Sequence, residues 1–257
     1  MTPHAFGIDV GGSGVKGAPV DCDTGECTAD RVRIATPQPS TPKAVGKVIA
    51  QVIEQFGDAV DGLPIGITAP TIVTHGVTRS AANVDKKWID APVEEMFSDA
   101  LGRPVVVLND ADAAGFAEVY YGAARNQDGL VIVTTLGTGI GSALIYRGVL
   151  IPNAELGHLE IDGFDAEKRA AASARVKEDL SWKVYTKRLQ QYYSKLEFLF
   201  SPDLFVVGGG ISRMSDKFLP YLELRTPIVA AQLFNQAGIV GAARYAWDQA
   251  RAAQNAG

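Results

Sequence analysis

The sequence predicts an α/β protein of two similar lobes with a cleft between them. Two observations carry this. Strand-like and helix-like stretches alternate along the chain, the pattern of sheets flanked by helices. A strand–glycine-turn–strand unit also occurs twice, as FGIDVGGSGVKGAPV near the N-terminus and as VTTLGTGIGSALIY past the midpoint. The two can be laid over one another turn on turn. With 257 residues, 47% of them hydrophobic, the chain is long and apolar enough to bury a sizeable core.

The elements follow in order. Residues 5–10 (AFGIDV) read as a buried strand, GGSG as a turn and 15–21 (VKGAPVD) as a returning strand. A strand over 31–36 precedes the proline-rich connector PQPSTP. Apolar residues at Val45, Val48, Ile49, Val52, Ile53 and Phe56 keep helical spacing and predict a helix over 44–56. PIGIT (64–68) and VVVL (105–108) read as strands, and an Ala-rich helix runs from about Asp112 to Tyr121. Strands at 130–136 and 142–148 flank the turn GTGIG. A long amphipathic helix carries Trp182, Tyr185, Leu189, Tyr192, Leu196 and Leu199 on one stripe. The strand LFVV (204–207), the turn GGG and a helix from about Ala237 complete the chain. The small lobe is expected over 1–108, with the C-terminal helix (about 238–254) returning to it, and the large lobe over 109–237.

Composition excludes several classes. A formal net charge of −5 argues against a nucleic-acid binder, whose domains are usually net basic. No apolar run approaches the ~20 residues of a membrane span. Met1-Thr2-Pro3-His4 leads into a strand without a signal-peptide pattern, which predicts the cytoplasm. Two cysteines, Cys22 and Cys27, make neither a disulfide framework nor a four-cysteine zinc site and read as unreactive thiols on a hairpin. The charge is uneven: residues 166–195 hold eight basic groups against three acidic ones. Their plain reading is the solvated face of a helix; the sharper one is that some of them, with Lys86 and Lys87, steer a polyanion.

Gly12-Ser13-Gly14-Val15-Lys16-Gly17 satisfies the dinucleotide pattern G-x-G-x-x-G, but that pattern needs a helix opening at the turn. Gly17 and Pro19 follow too soon for one. No Walker A loop can be laid over it. Gly208-Gly209-Gly210 fails as well, because Arg213 stands where the last glycine belongs. The remaining reading is a pair of phosphate-cradling hairpins, whose glycines allow φ > 0 and let backbone N–H groups converge on an anion. Ser13 and Lys16 add a hydroxyl and a charge to the first turn, and Thr138 does likewise in the second. Glycine-rich hairpins are also ordinary connections, but two such turns, with Asp9 ahead of the first, favour phosphate.

GIDVGGSGVKG, LNDADAA (108–114), TTLGTGIG (134–141), ELGH (155–158) and VVGGGIS (206–212) together resemble the ROK sugar kinases over essentially the whole chain. NVDKKWI (83–89), PDLFVVGGGIS (202–212) and NQAGIVGAA (235–243) look like the actinobacterial members of that family that use polyphosphate, or polyphosphate and ATP, on glucose and mannose. The resemblance implies the actin-like ATPase (ribonuclease H-like) fold and a glucokinase acting at the 6-hydroxyl of glucose. It also implies mannose as a second acceptor and ATP as a second donor. An ATP-only ROK hexokinase and a non-catalytic sugar sensor are the alternatives. Repressors of the family carry a helix-turn-helix ahead of the kinase fold, and Asp9 leaves no room for one.

By the same resemblance Asp110 is the catalytic base, and a carboxylate of ordinary pKa (about 3.9) is ionised at neutral pH and able to accept a proton. Asp112 is the expected helix cap. Asn83, Asn109, Asp110, Glu155, His158 and Glu167 would hold the sugar. Gly11, Gly12, Ser13, Gly14 and Lys16, with Thr135, Gly137, Thr138 and Gly139, would hold the donor phosphates, and Gly209 and Gly210 would pass the adenine of ATP. Asp9 would hold Mg²⁺. Many relatives carry a zinc site of one histidine and a C-x-C-G-x-x-G-C cluster; here IDGFDAEKRAAAS stands in its place. No zinc is expected, and the sugar loop is expected to be held by packing alone. The family habit is a homodimer.

Overall fold

Runs of Val, Ile, Leu and Ala make two five-stranded sheets. The computed structural model describes residues 3–81 and 84–256. It divides into one unit of Met1–Ala113 with Gln236–Gly257 and another of Ala114–Asn235. Of the candidate residues, Asn83 lies outside the described residues.

The first unit begins with β1 (His4–Gly11) and β2 (Gly14–Asp21), an antiparallel hairpin in which Asp9 stands opposite Lys16. β3 (Val32–Ile34) adds to β2. Helix α1 (Pro42–Glu54) starts earlier than the apolar spacing indicates. Thr41 caps it, accepting from the Ala44 N–H at 3.2 Å, and Pro42 supplies a preset φ in the first turn. β4 (Ile65–Ala69), the small hairpin β5 (Val73–Thr74) and β6 (Val77–Thr78), α2 (Val93–Leu101) and β7 (Val106–Asn109) follow. α2 escapes the sequence reading because in nine residues it buries only Val93 and Phe97. α3 (Asp110–Tyr121) leaves β7 directly.

The second unit holds β8 (Leu130–Leu136), β9 (Ile140–Tyr146), β10 (Val149–Ile151), the pair β11 (Glu160–Ile161) and β12 (Phe164–Asp165), α4 (Ala166–Ala170), α5 (Ala172–Lys177), α6 (Trp182–Phe200), β13 (Leu204–Gly208) and β14 (Ile228–Ala230). On α6, Tyr185, Leu189, Tyr192 and Leu196 are buried as the stripe predicts, and Trp182 stacks on Phe218. Leu199 is exposed instead, and the buried tyrosine beside the stripe is Tyr193, hydrogen-bonded to Thr134 Oγ1 at 2.7 Å.

The two sheets share one plan. The first runs β3-β2-β1-β4-β7 and the second β10-β9-β8-β13-β14. In each, the first three strands are antiparallel and the last two join in parallel. The duplication visible in the glycine turns therefore extends to whole sheets, in keeping with the expected actin-like ATPase fold.

Helix α7 (Ala237–Ala256) belongs to the first unit and packs on β1 and β4. It approaches so closely that a Cβ on Gly7 or Gly66 would collide with the carbonyls of Ile239 or Ala242. Only glycine admits a helix backbone at that distance. Neither Cys22 nor Cys27 is in a disulfide. Burial pushes the Cys22 thiol up to about 12 and raises Cys27 as well, so both stay protonated and unreactive at neutral pH. No described helix is long and apolar enough to cross a membrane.

Candidate active site

In the first unit the candidate residues gather at the carboxyl ends of parallel strands β1, β4 and β7, the edge where open α/β sheets bind ligands. Asp9 lies near the end of β1, with Oδ2 ion-paired to Lys16 Nζ at 2.8 Å and Oδ1 accepting from Thr68 Oγ1 of β4 at 3.3 Å. Thr68 Oγ1 also accepts the Val10 N–H at 2.9 Å. Gly238, in the first turn of α7, packs against Asp9; a Cβ there would lie 2.9 Å from Oδ1. Asp9 is thus held on three sides, and Lys16 reaches the turn already paired.

The turn between β1 and β2 exposes Gly12 and Ser13. Neither Gly12 nor Gly14 takes a left-handed φ, nor do Gly137 and Gly139, so the reason for glycine differs from the expected φ > 0. It is room. A Cβ on Gly12 or Gly137 would meet nothing within 4 Å, which leaves room for an anion to approach the turn backbone. At Gly14 a Cβ would come 2.7 Å from Arg33 Nε, and at Gly139 it would collide with the Glu167 carboxylate.

Among the described residues no group of three or more His, Cys, Asp or Glu side chains could cage a metal. Asp9 alone fits the way Mg²⁺ is usually held, by one or two carboxylates and the phosphates of a substrate.

Asp110 is the first residue of α3, exposed at the end of β7. The cap is not Asp112. Asn109 Oδ1 accepts the N–H groups of Ala111 (2.8 Å) and Asp112 (3.2 Å), and its Nδ2 donates to the Thr71 carbonyl at 3.1 Å. Asp112 is buried in the helix instead. The amide wins because it stands one residue before the helix, where a side-chain oxygen reaches the second and third N–H groups. Its expected hold on a sugar hydroxyl narrows to the second Nδ2 hydrogen. The Asp110 carboxylate accepts the Ala111 N–H at 2.9 Å.

In the second unit β8 and β13 are parallel, and the turn 137–139 lies at their carboxyl edge with Gly208–Gly210. Gly209, at φ 82°, packs against Leu136, where a side chain would strike the backbone. Thr135 ends on the same strand. The Gly137 N–H donates to the Gly139 carbonyl at 2.9 Å, and α5 supports the turn from behind: Ser173 donates from N–H to the Gly137 carbonyl (3.0 Å) and from Oγ to the Thr138 carbonyl (2.6 Å).

Glu155, His158 and Glu167 come together here, and packing alone does not hold their loop. His158 Nδ1 and Asp165 Oδ2 are 3.0 Å apart. Asp165 Oδ1 caps α4 by accepting the Glu167 N–H at 3.0 Å, and Glu167 Oε2 accepts the Ile140 N–H at 2.8 Å, over the second glycine turn. A polar chain therefore links His158 to the second glycine turn, and Glu167 spends one oxygen on that turn. Burial pushes the Glu155 carboxyl up, with His158 opposing and Glu167 adding to the rise. The hydrogen bond to Asp165 raises His158 above its ordinary value. Asp165→Asn is expected to lower the His158 titration midpoint toward about 6.5, as read by NMR on the ring protons; an unmoved midpoint would remove Asp165 as the cause. The D-x-E pattern at a helix start marks Asp165 as a cap in the sequence; its reach to His158 carries no such signal.

Much of the basic stretch is structural. Arg188 pairs with Glu178 at 2.6 and 2.9 Å, Arg175 lies 3.9 Å over the Trp182 ring and Arg169 4.7 Å over Phe164. Lys168, Lys177, Lys183 and Lys187 are exposed, as are Lys86 and Lys87.

The chain matches the ROK family over residues 5–174. It is 54% identical to the polyphosphate glucokinase of Mycobacterium tuberculosis over 241 residues, 93% of this chain and 90% of that one. Among solved structures it resembles the inorganic polyphosphate/ATP-glucomannokinase of Arthrobacter sp. strain KM, with a TM-score of 0.90 and 54% identity over 96% of this chain and 99% of the other. It also resembles a ROK family glucokinase of Streptomyces griseus bound to glucose and AMPPNP, with a TM-score of 0.79 and 25% identity over 94% and 98%.

Proposed function

The chain belongs to the ROK family, and from that premise we propose that it is a polyphosphate-dependent glucokinase. The observation that carries this is its likeness to a polyphosphate glucokinase along nearly the whole of both chains. ATP is proposed as a second donor and mannose as a second acceptor.

In this reading the sugar's 6-hydroxyl oxygen attacks the terminal phosphorus of the donor. A new P–O bond forms, the bridging P–O bond breaks, and polyphosphate leaves one unit shorter. Asp110 accepts the hydroxyl proton, and Asn109 fixes the helix end that carries it. Glu155 and His158 orient the sugar, with Asn83 as a further ligand. The turns Gly11–Gly14 and Gly137–Gly139, with Ser13, Thr135, Thr138 and Lys16, bind donor phosphates, and Gly209 and Gly210 flank the adenine when ATP is used. Mg²⁺, bound through Asp9 and the phosphates, would neutralise donor charge.

A cytoplasmic location belongs to the proposal, supported by two cysteines that are not joined in a disulfide. So does a homodimer, supported by the exposed Val149 and Ile151 of edge strand β10.

Purified protein with glucose and Mg²⁺, given polyphosphate and ATP separately, tests the reading. Glucose 6-phosphate from polyphosphate is expected. Product from ATP alone would make it an ATP-only hexokinase, and sugar binding without turnover on either donor would make it a sensor.

A further inference from the structure

We propose that Arg33, with Arg31 beyond it, extends the donor-phosphate site along the outer edge of the first sheet and holds a polyphosphate chain past its reacting end. The inference rests on the proposed donor.

Asp9 stands opposite Lys16, and Lys16 opposite Arg33, so the three side chains form a row on one face across β1, β2 and β3. Arg33 leans from that row toward the turn. Its Nη2 donates to the Ser13 carbonyl at 2.8 Å and approaches Ser13 Oγ at 3.4 Å, while its guanidinium lies against Gly14. Any side chain at position 14 would displace it. β3 is itself tied to the turn, because Thr36 Oγ1 donates to the Gly11 carbonyl at 2.5 Å.

Lys16 and Arg33 differ in one respect. Lys16 is paired with Asp9. Arg33 is exposed, has no carboxylate partner among the described residues and uses only Nη2 within the protein. Its Nε and Nη1 donors remain for a ligand, and a guanidinium is suited to phosphate oxygens by its planar, forked donors. Arg31 is also exposed and immediately precedes β3, beyond Val32 on the side away from the turn. Two exposed cations therefore follow one another away from the turn along this edge of the sheet.

The ligand this fits is a linear polyanion. A nucleoside triphosphate ends its charge after three phosphates, whereas a long polyphosphate continues and must be held against a protein of net charge −5. Local cations of this kind offset that repulsion and make binding sensitive to salt.

Arg33→Gln and Arg31→Gln, both exposed changes, test the proposal in the full-length enzyme. Initial rates are measured with long-chain polyphosphate, tripolyphosphate and ATP at several salt concentrations, and long-chain polyphosphate binding is measured without sugar. For Arg33→Gln the KM for long chains should rise about tenfold, with a matching loss of binding, a shallower salt dependence and an unchanged KM for glucose. Arg31→Gln should raise the long-chain KM less and leave tripolyphosphate and ATP untouched. If the parent enzyme uses polyphosphate and both variants keep its long-chain KM, binding and salt dependence, the extended site is wrong and the function stands. An equal loss on every donor would also overturn the extension, reducing Arg33 to a support of the turn. If the parent neither binds nor uses polyphosphate, the functional reading itself falls.

Discussion

Asp110→Asn is expected to lower kcat for glucose phosphorylation by about 10³-fold while leaving glucose binding within a few-fold of the parent. The size follows from the role: a positioned general base contributes about 10² to 10⁴, and 10³ corresponds to about 4 kcal/mol of barrier. The exchange keeps size and shape. An amide oxygen can still accept the Ala111 N–H that the carboxylate accepts now, and the cap that sets the helix start belongs to Asn109. What disappears is the ability to take up a proton. Single-turnover kinetics report the chemical step, and calorimetric glucose binding reports whether the site survives. Substantial retained turnover would remove Asp110 as the base. A parallel loss of glucose binding would make it chiefly a sugar ligand.

The sequence showed the strands of both sheets and the two glycine turns because local signals write them. β-Branched runs mark strands, and glycine between two such runs marks a hairpin. It showed less of what depends on register or distance. Arg33 reads as one charge on a short strand until the pairing with Lys16 places it beside Ser13. Asp112 is a reasonable cap by residue type, and only the position of the helix start, one residue after Asn109, hands that role to the amide. The chain from His158 through Asp165 and Glu167 to Ile140 joins residues 27 apart across two loops. No periodicity encodes such a link. The expectation that packing alone holds the loop failed because hydrogen-bond partners that are distant in sequence leave no mark there.

Glu118→Ala is expected to cost about 3–5 kcal/mol of stability. In sequence Glu118 is one polar residue in an Ala-rich helix, and nothing local singles it out. In the structure it is fully buried. Its Oε2 accepts the Ala123 N–H at 2.8 Å, just beyond the end of α3, and its Oε1 accepts the N–H groups of Gln232 (2.9 Å) and Leu233 (2.8 Å). One carboxylate thus stands in for a missing strand or cap at two places, 5 and 114 residues along the chain from it. Alanine strands three donors, each worth about 1–3 kcal/mol when left unmade, and opens a cavity besides. At about 2–4 °C per kcal/mol for a protein of this size, the melting temperature should fall by roughly 10 °C. Glu118→Gln separates charge from shape. It fills the space and keeps one acceptor, but turns an NH₂ toward N–H groups, so its loss should be intermediate. Urea unfolding at neutral pH measures both. Alanine as stable as the parent would mean that water satisfies those donors; glutamine as damaging as alanine would mean that the carboxylate's second acceptor, not the filled volume, holds the segment.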